Sequence, residues 1–182
     1  YFYALAAATG KRAMVKRMRK ESLQGDMKFI SLLEKMGCTV SWECDGRQNL
    51  WLKGPDGKLK GMEVKMSDFS DQALTLAAIA PFADSEVTIT GIAHIRGQES
   101  DRIKVIVDEL AKMGILCNEL PDGVKIHPGT PKNTNIETYN DHRVAMSFAV
   151  TGLAGDGMTI LNPMCCKKTF AGFFDEIDRL EE

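Results

Sequence analysis

The sequence predicts a mixed α/β protein built by internal repetition, and three observations lead there. The segment LLEKMG ends at Gly37 and the segment ELAKMG ends at Gly114, 77 residues further on. Each closes a stretch with helical apolar spacing, and each is followed at once by two short strand-like runs. Around them strand and helix patterns alternate in the same order, so the period is that of a supersecondary unit rather than of one helix.

The elements follow in order. Residues 1–8 are Ala-rich and read as a buried helix stopped by Gly10. Residues 11–19, with Ala13, Val15 and Met18, read as a strand. Ser22 leads into a helix over 26–36, where Phe29, Leu32, Leu33 and Met36 recur at helical spacing. Two short strands, 38–42 and 50–52, are joined by a polar turn, and 54–60 is a loop rich in Gly, Pro and Lys. This first repeat occupies 1–53. The second, 61–127, runs through a strand at 62–66, an apolar helix at 71–82 and a strand at 86–90. It continues with a helix at 99–113, carrying Ile103, Ile106, Val107, Leu110 and Met113 on one face, and strands at 115–119 and 123–126. A third, incomplete repeat at 138–182 has a helix at 141–153, a strand at 158–161 and a helix at 169–180, without the closing strand pair. Either this copy is degenerate or its strands come from elsewhere in a longer chain. Residue 1 falls inside a helical pattern and is not Met, which favours the second account.

Composition narrows the function classes. At 44% hydrophobic and 26% charged, with a net charge of −2 over 182 residues, the chain reads as one soluble globular unit. It has no overall attraction for nucleic acid or an anionic membrane, so any anion site is local. The longest apolar run, 144–154, is too short to span a bilayer. No basic region precedes the apolar start, so no signal peptide is read there. Five cysteines (Cys38, Cys44, Cys117, Cys165 and Cys166) make an odd set without CxxC spacing, against a disulfide framework and against zinc. A reduced, cytoplasmic setting is expected, with no metal and no cofactor.

The chemistry concentrates at predicted helix starts. In ETYNDHRVAM, residues 137–146, Asp141 can cap the free N–H groups of a helix, while His142 and Arg143 add a titratable donor and a fixed positive charge. An anion is the natural guest of such a place. Asp71, Glu99 with Arg102, and Lys168 stand at equivalent helix starts of the other segments. Parallel repeats bring these starts together into a pocket of three fixed cations, two carboxylates and an imidazole, suited to a substrate with phosphate and carboxylate groups. The carboxylates are then left for proton transfer. Taken singly each signal has a plainer account. Glu99 and Asp101 are acids favoured in a first turn, Lys167 and Lys168 are a solvated pair, His94 and His127 are loop residues, and Cys165 and Cys166 pack. No P-loop, GxGxxG or Ser–His–Asp order is present.

Five segments, SLQGD, SDQALTLA, RGQESDRI, YNDHRVAM and KKTFAGFF, occur in this order, and together they resemble the C-terminal half of the EPSP synthase family. The resemblance runs from Tyr1 to the end of the chain. It implies one domain of a two-domain enolpyruvyl transferase, each domain an inverse α/β barrel-like assembly of three βαβαββ units. It also implies that an N-terminal half, absent here, supplies the unfilled strand pair, and that the full enzyme is a monomer. The implied reaction moves the enolpyruvyl group of phosphoenolpyruvate to the 5-hydroxyl of shikimate-3-phosphate. By motif, Asp71 and Glu99 resemble the catalytic carboxylates, Asp71 on the 5-hydroxyl and Glu99 on the methylene carbon. Arg102, His142, Arg143 and Lys168 resemble the contacts to phosphoenolpyruvate. Asp71, His94 and Gln98 fall where the family holds shikimate-3-phosphate, although many members carry Asn at the position of His94 and Lys at that of Gln98. The isolated half is expected to be inactive. Two other readings stand beside this one. The first is the related transferase acting on UDP-N-acetylglucosamine, which YNDHR and RGQESDR disfavour. The second is a non-catalytic anion-binding domain.

Overall fold

The computed structural model describes residues 1–43 and 48–181. The polar turn expected inside the first repeat, with Cys44, lies outside the described residues. The first sheet has three antiparallel strands in the order β1 (Arg12–Val15), β3 (Asn49–Lys53), β2 (Thr39–Glu43). The second has four, in the order β4 (Met62–Lys65), β5 (Val87–Thr90), β7 (Gly123–Ile126), β6 (Cys117–Leu120). There β4 and β5 are parallel and the remaining pairs antiparallel. The third pairs β8 (Asn135–Ile136) in parallel with β9 (Thr159–Ile160). The first sheet therefore has the order of β5, β7 and β6, and the third sheet has the parallel pairing of β4 and β5.

Three helices pack on one another at the centre: α1 (Phe2–Thr9), α3 (Ala73–Ile79) and α5 (His142–Ala154). Every residue of α3 is buried, as expected of a helix that is apolar all round. Its alanines allow close approach, and two polar links stitch α3 to α5. Thr151 Oγ1 donates to the Ala78 carbonyl at 2.8 Å, and Thr75 and Ser147 hydroxyls meet at 3.4 Å. The amphipathic helices α2 (Met27–Lys35) and α4 (Arg102–Lys112) each lay one apolar face on this centre.

The two matching segments end alike. Gly37 has φ +104° and Gly114 φ +77°. Cys38 N–H donates to the Leu33 carbonyl and Gly37 N–H to that of Glu34, while Ile115 donates to Leu110 and Gly114 to Ala111. Both are Schellman ends, in which a left-handed residue lets the chain fold back onto the last free carbonyls.

Several expected boundaries move. The strand expected over 11–19 ends at Val15, since Arg17 takes φ 60° and leaves the extended region. The helix at 71–82 is α only over Ala73–Ile79, between 3₁₀ turns at Ser70–Gln72 and Ala80–Phe82, the latter holding Pro81. The helix at 99–113 starts at Arg102 because Asp101 caps it, accepting Lys104 N–H at 3.0 Å. The helix at 169–180 is two, α6 (Lys167–Phe170) and α7 (Phe173–Glu181), parted at Ala171–Gly172. Strand β8 is not expected from the sequence, because PKNTNIET has no alternation and a single large apolar residue, Ile136. Among the described residues no helix is long and apolar enough to cross a membrane.

Candidate anion pocket

Four backbone features bring the polar residues together. The 3₁₀ turn Ser70–Gln72 carries Asp71, the bend before α4 carries Gln98 and Glu99, and Arg102 and His142 are the first residues of α4 and α5. Asp71, Gln98, Glu99, Arg102, His142 and Arg143 line one open cavity of about 470 Å³. Two placements differ from expectation. Asp71 and Glu99 precede their α-helices instead of opening them, so their side chains reach across to the guanidinium groups rather than back onto helix N–H groups.

Arg102 is the hub. It is 2% exposed and divides its five N–H donors among four side chains. Nε donates to Asp141 Oδ2 at 2.9 Å and Nη2 to Asp141 Oδ1 at 3.3 Å. Nη2 also donates to Glu99 Oε2 at 2.9 Å, and Nη1 to Asp71 Oδ1 at 3.5 Å and to the side-chain amide oxygen of Gln98. Arg143 approaches from the other side. Its Nη2 donates to Asp71 Oδ2 at 2.8 Å and its Nη1 to the Asp71 backbone carbonyl at 3.3 Å.

Asp141 is fully buried and joins the two halves of the pocket. One carboxylate holds Arg102 twice, accepts the Ser100 hydroxyl at 3.0 Å and caps α5 by accepting Arg143 N–H at 2.9 Å. Burial alone would raise its carboxyl. The Arg102 guanidinium, with Arg143 N–H and Ser100, more than offsets that and holds it below the usual carboxylate range. From the sequence Asp141 is only a cap. No spacing rule links it to Arg102, 39 residues earlier.

The imidazole of His142 is buried, and its Nδ1 has no hydrogen-bond partner among the described residues, lying 3.9 Å from Asp141 Oδ1. Burial lowers its pKa, Asp141 opposes this, and Arg143 reinforces the lowering. The ring is therefore neutral near pH 7, and the fixed charge of the pocket rests on Arg102 and Arg143. Behind Arg143 lies the phenol of Tyr1, which burial pushes up to about 12 while Arg143 pulls the other way.

Other expected residues sit elsewhere. Nε2 of His94 meets Ser70 Oγ at 2.8 Å, beside a second hollow of about 510 Å³ that shares Asp71 and Gln98 with the first. Lys168 is the second residue of α6, exposed, outside the cavity lining, and without a hydrogen bond or ion pair among the described residues. Arg96 turns away to Asp101 and Glu119. Cys165 and Cys166 are buried, and burial pushes the Cys166 thiol up to about 12, as for a packing residue rather than a nucleophile.

Chemically, the pocket offers two guanidinium groups, one well paired and one partly exposed. Around them are two exposed carboxylates, Asp71 at 46% and Glu99 at 40%. An anion competing for the same N–H donors would release those carboxylates as proton acceptors within reach of it.

A family model described as EPSP synthase (3-phosphoshikimate 1-carboxyvinyltransferase) matches residues 1–177. The 3-phosphoshikimate 1-carboxyvinyltransferase of Nostoc punctiforme is 46% identical over 182 residues, all of this chain and 42% of that protein. 3-Phosphoshikimate 1-carboxyvinyltransferase 2 of Halalkalibacterium halodurans is 43% identical, covering 99% of this chain and 40% of that protein. The chain thus spans about four-tenths of the length of the curated relatives it matches. Among solved structures, EPSP synthase from Acinetobacter baumannii superposes with a TM-score of 0.83 at 28% identity, over 97% of this chain and 43% of that one. The enolpyruvyl transferase NikO from Streptomyces tendae shares the fold, at a TM-score of 0.65 and 20% identity over 84% of this chain and 34% of that one.

Proposed function

This chain belongs to the EPSP synthase family, and on that premise we propose that it is one domain of a two-domain 3-phosphoshikimate 1-carboxyvinyltransferase. The other domain supplies the facing wall of the site. Within this domain the repeats at 1–53 and 61–127, with an incomplete third at 138–182, are read as βαβαββ units. The whole enzyme is read as a cytoplasmic monomer.

The reaction joins the 5-hydroxyl oxygen of shikimate-3-phosphate to C2 of phosphoenolpyruvate, then expels inorganic phosphate to leave the enol ether. Arg102, Arg143 and the neutral imidazole of His142 receive the donor's carboxylate and phosphate. Lys168 completes that clamp, a role that rests on the KKTFAGFF motif alone. As the donor takes over the guanidinium N–H groups, Asp71 and Glu99 are freed. Asp71 takes the proton of the 5-hydroxyl as its oxygen attacks C2. Glu99, having taken up a proton from solvent once its bond to Arg102 is lost, delivers that proton to C3, which becomes a methyl group in the tetrahedral intermediate. Return of a proton from C3 to Glu99 accompanies C–O cleavage, and the departing phosphate carries off the proton held by Asp71. Gln98 and His94, beside the adjoining hollow, face the acceptor. Between two anionic substrates this chemistry depends on enclosure and alignment, which one wall does not provide.

The observation that carries this reading is the single cavity lined by both guanidiniums and both exposed carboxylates. The test is phosphate release from phosphoenolpyruvate plus shikimate-3-phosphate. Residues 1–182 alone should give none, and addition of the other domain should restore it. Turnover with UDP-N-acetylglucosamine in place of shikimate-3-phosphate would overturn the assignment of the acceptor, and turnover by residues 1–182 alone would overturn the two-wall reading.

A further inference from the structure

Glu109 is a carboxylate with no part in the chemistry above, yet it is completely buried. It lies on α4 seven residues after Arg102, two turns along the same face. Its Oε1 accepts from the Tyr139 hydroxyl at 2.8 Å and from Lys112 Nζ at 2.7 Å, and its Oε2 accepts Glu137 N–H at 3.3 Å. The segment it grips is strained. Tyr139 and Asn140 are consecutive non-glycine residues at φ 52° and 56°, in the left-handed region, and such pairs persist only where the surroundings hold them. Asp141 follows at once, its N–H turned back to the Thr138 carbonyl at 2.8 Å.

We propose that Glu109 is a positioning residue for the anion pocket: α4 holds the segment before α5 at two points, Arg102 on Asp141 and Glu109 on Glu137 and Tyr139, and so sets where His142 and Arg143 stand. The two grips are opposite in sense. Arg102 donates to a side-chain carboxylate, and Glu109 accepts from a backbone N–H and a phenol. With both in place the left-handed pair cannot relax toward extended backbone, and the α5 cap stays in register with the start of α4. This inference rests on the donor-binding reading of the pocket for its functional consequence, though not for its geometry.

The test uses the full-length polypeptide that contains these residues, with Glu109→Ala, Glu109→Gln and Tyr139→Phe. Two quantities are read: amide hydrogen exchange over residues 137–143 relative to α2, and the affinity and stoichiometry of phosphoenolpyruvate binding by calorimetry. Loss of hydrogen bonds to a charged acceptor should accelerate exchange and weaken binding by about tenfold in Glu109→Ala, at unchanged stoichiometry. Tyr139→Phe, which removes one bond, should move both quantities in the same direction by roughly threefold. If Glu109→Ala does not fold, Glu109→Gln and Tyr139→Phe decide. Unchanged affinity, or fewer binding sites of normal affinity, would reduce Glu109 to a packing residue and overturn the proposal. Failure of the unsubstituted protein to bind phosphoenolpyruvate would sink the donor reading instead. The exchange comparison then decides for Glu109, acceleration upholding the two-point grip and its absence overturning it.

Discussion

Arg102 with Asp141 and Arg143 with Asp71 are two ion pairs at one pocket, built to opposite standards. The side chains of the first pair are 2% and 0% exposed, those of the second 21% and 46%. The inner pair is bidentate and its carboxylate also caps α5. The outer pair shares its carboxylate with Arg102 only at 3.5 Å. A buried pair has already given up its water and becomes costly to break, whereas a half-exposed pair exchanges partners with solvent or ligand at little cost. Arg102 is thus tied into the scaffold as well as facing the cavity, whereas Arg143 can give up its partner at little structural cost.

The comparison breaks hardest at Asp141. Asp141→Ala strands a buried guanidinium and removes a helix cap, and should cost about 3–5 kcal/mol of stability, read as a lower denaturant midpoint. A loss below about 1 kcal/mol, the range of an exposed pair, would show that water reaches Arg102 and that the two pairs do not differ in kind. Next comes Glu99, which leans on the inner guanidinium but is itself exposed. Glu99→Gln should leave stability nearly unchanged and lower kcat of the complete enzyme by roughly 10²–10⁴-fold, the usual worth of a positioned acid or base. Near-normal turnover would move the proton to another group.

Arg143→Ala tests the outer pair. It should raise the apparent KM for phosphoenolpyruvate about ten- to a hundredfold while shifting the denaturant midpoint by less than about 1 kcal/mol. A large stability loss with unchanged KM would reverse the roles of the two arginines. The smallest effect is expected from His142. Its pKa is lowered in the fold, so the unfolded chain binds the extra proton more readily than the native one. Its contribution is therefore present above the ordinary value of 6.5 and fades as pH falls from there toward the lowered value. Asp141 has the same sign but acts only as pH falls below the usual carboxylate range. The melting temperature of His142→Gln should fall less steeply between pH 7 and 5 than that of the unsubstituted protein, and identical slopes would show a solvated ring.

Much of the fold was legible because its causes are local. The helix of LLEKMG and that of ELAKMG end in the same bond pattern since Gly37 and Gly114 relieve the same left-handed strain. The strand β8 escaped notice because its two residues pair only with β9, and nothing in a polar run announces that partner. Asp71 and Glu99 were found as polar residues near helix starts, but one turn too far into the helices, since a 3₁₀ turn and an Asp101 cap decide where α3 and α4 begin.

The amino-acid order alone marks which residues could carry chemistry, because charge, acidity and hydrogen-bonding capacity belong to side chains, and it sets most of the order of elements, because apolar spacing and helix stops act over a few residues. How those residues pair with one another depends on the packed fold. Asp141 became the counter-ion of Arg102, and Glu109 the anchor of Tyr139, through contacts 39 and 30 residues apart in the chain. Burial, which separates the inner pair from the outer, is a property of everything packed around a side chain and so is written in no single stretch of it.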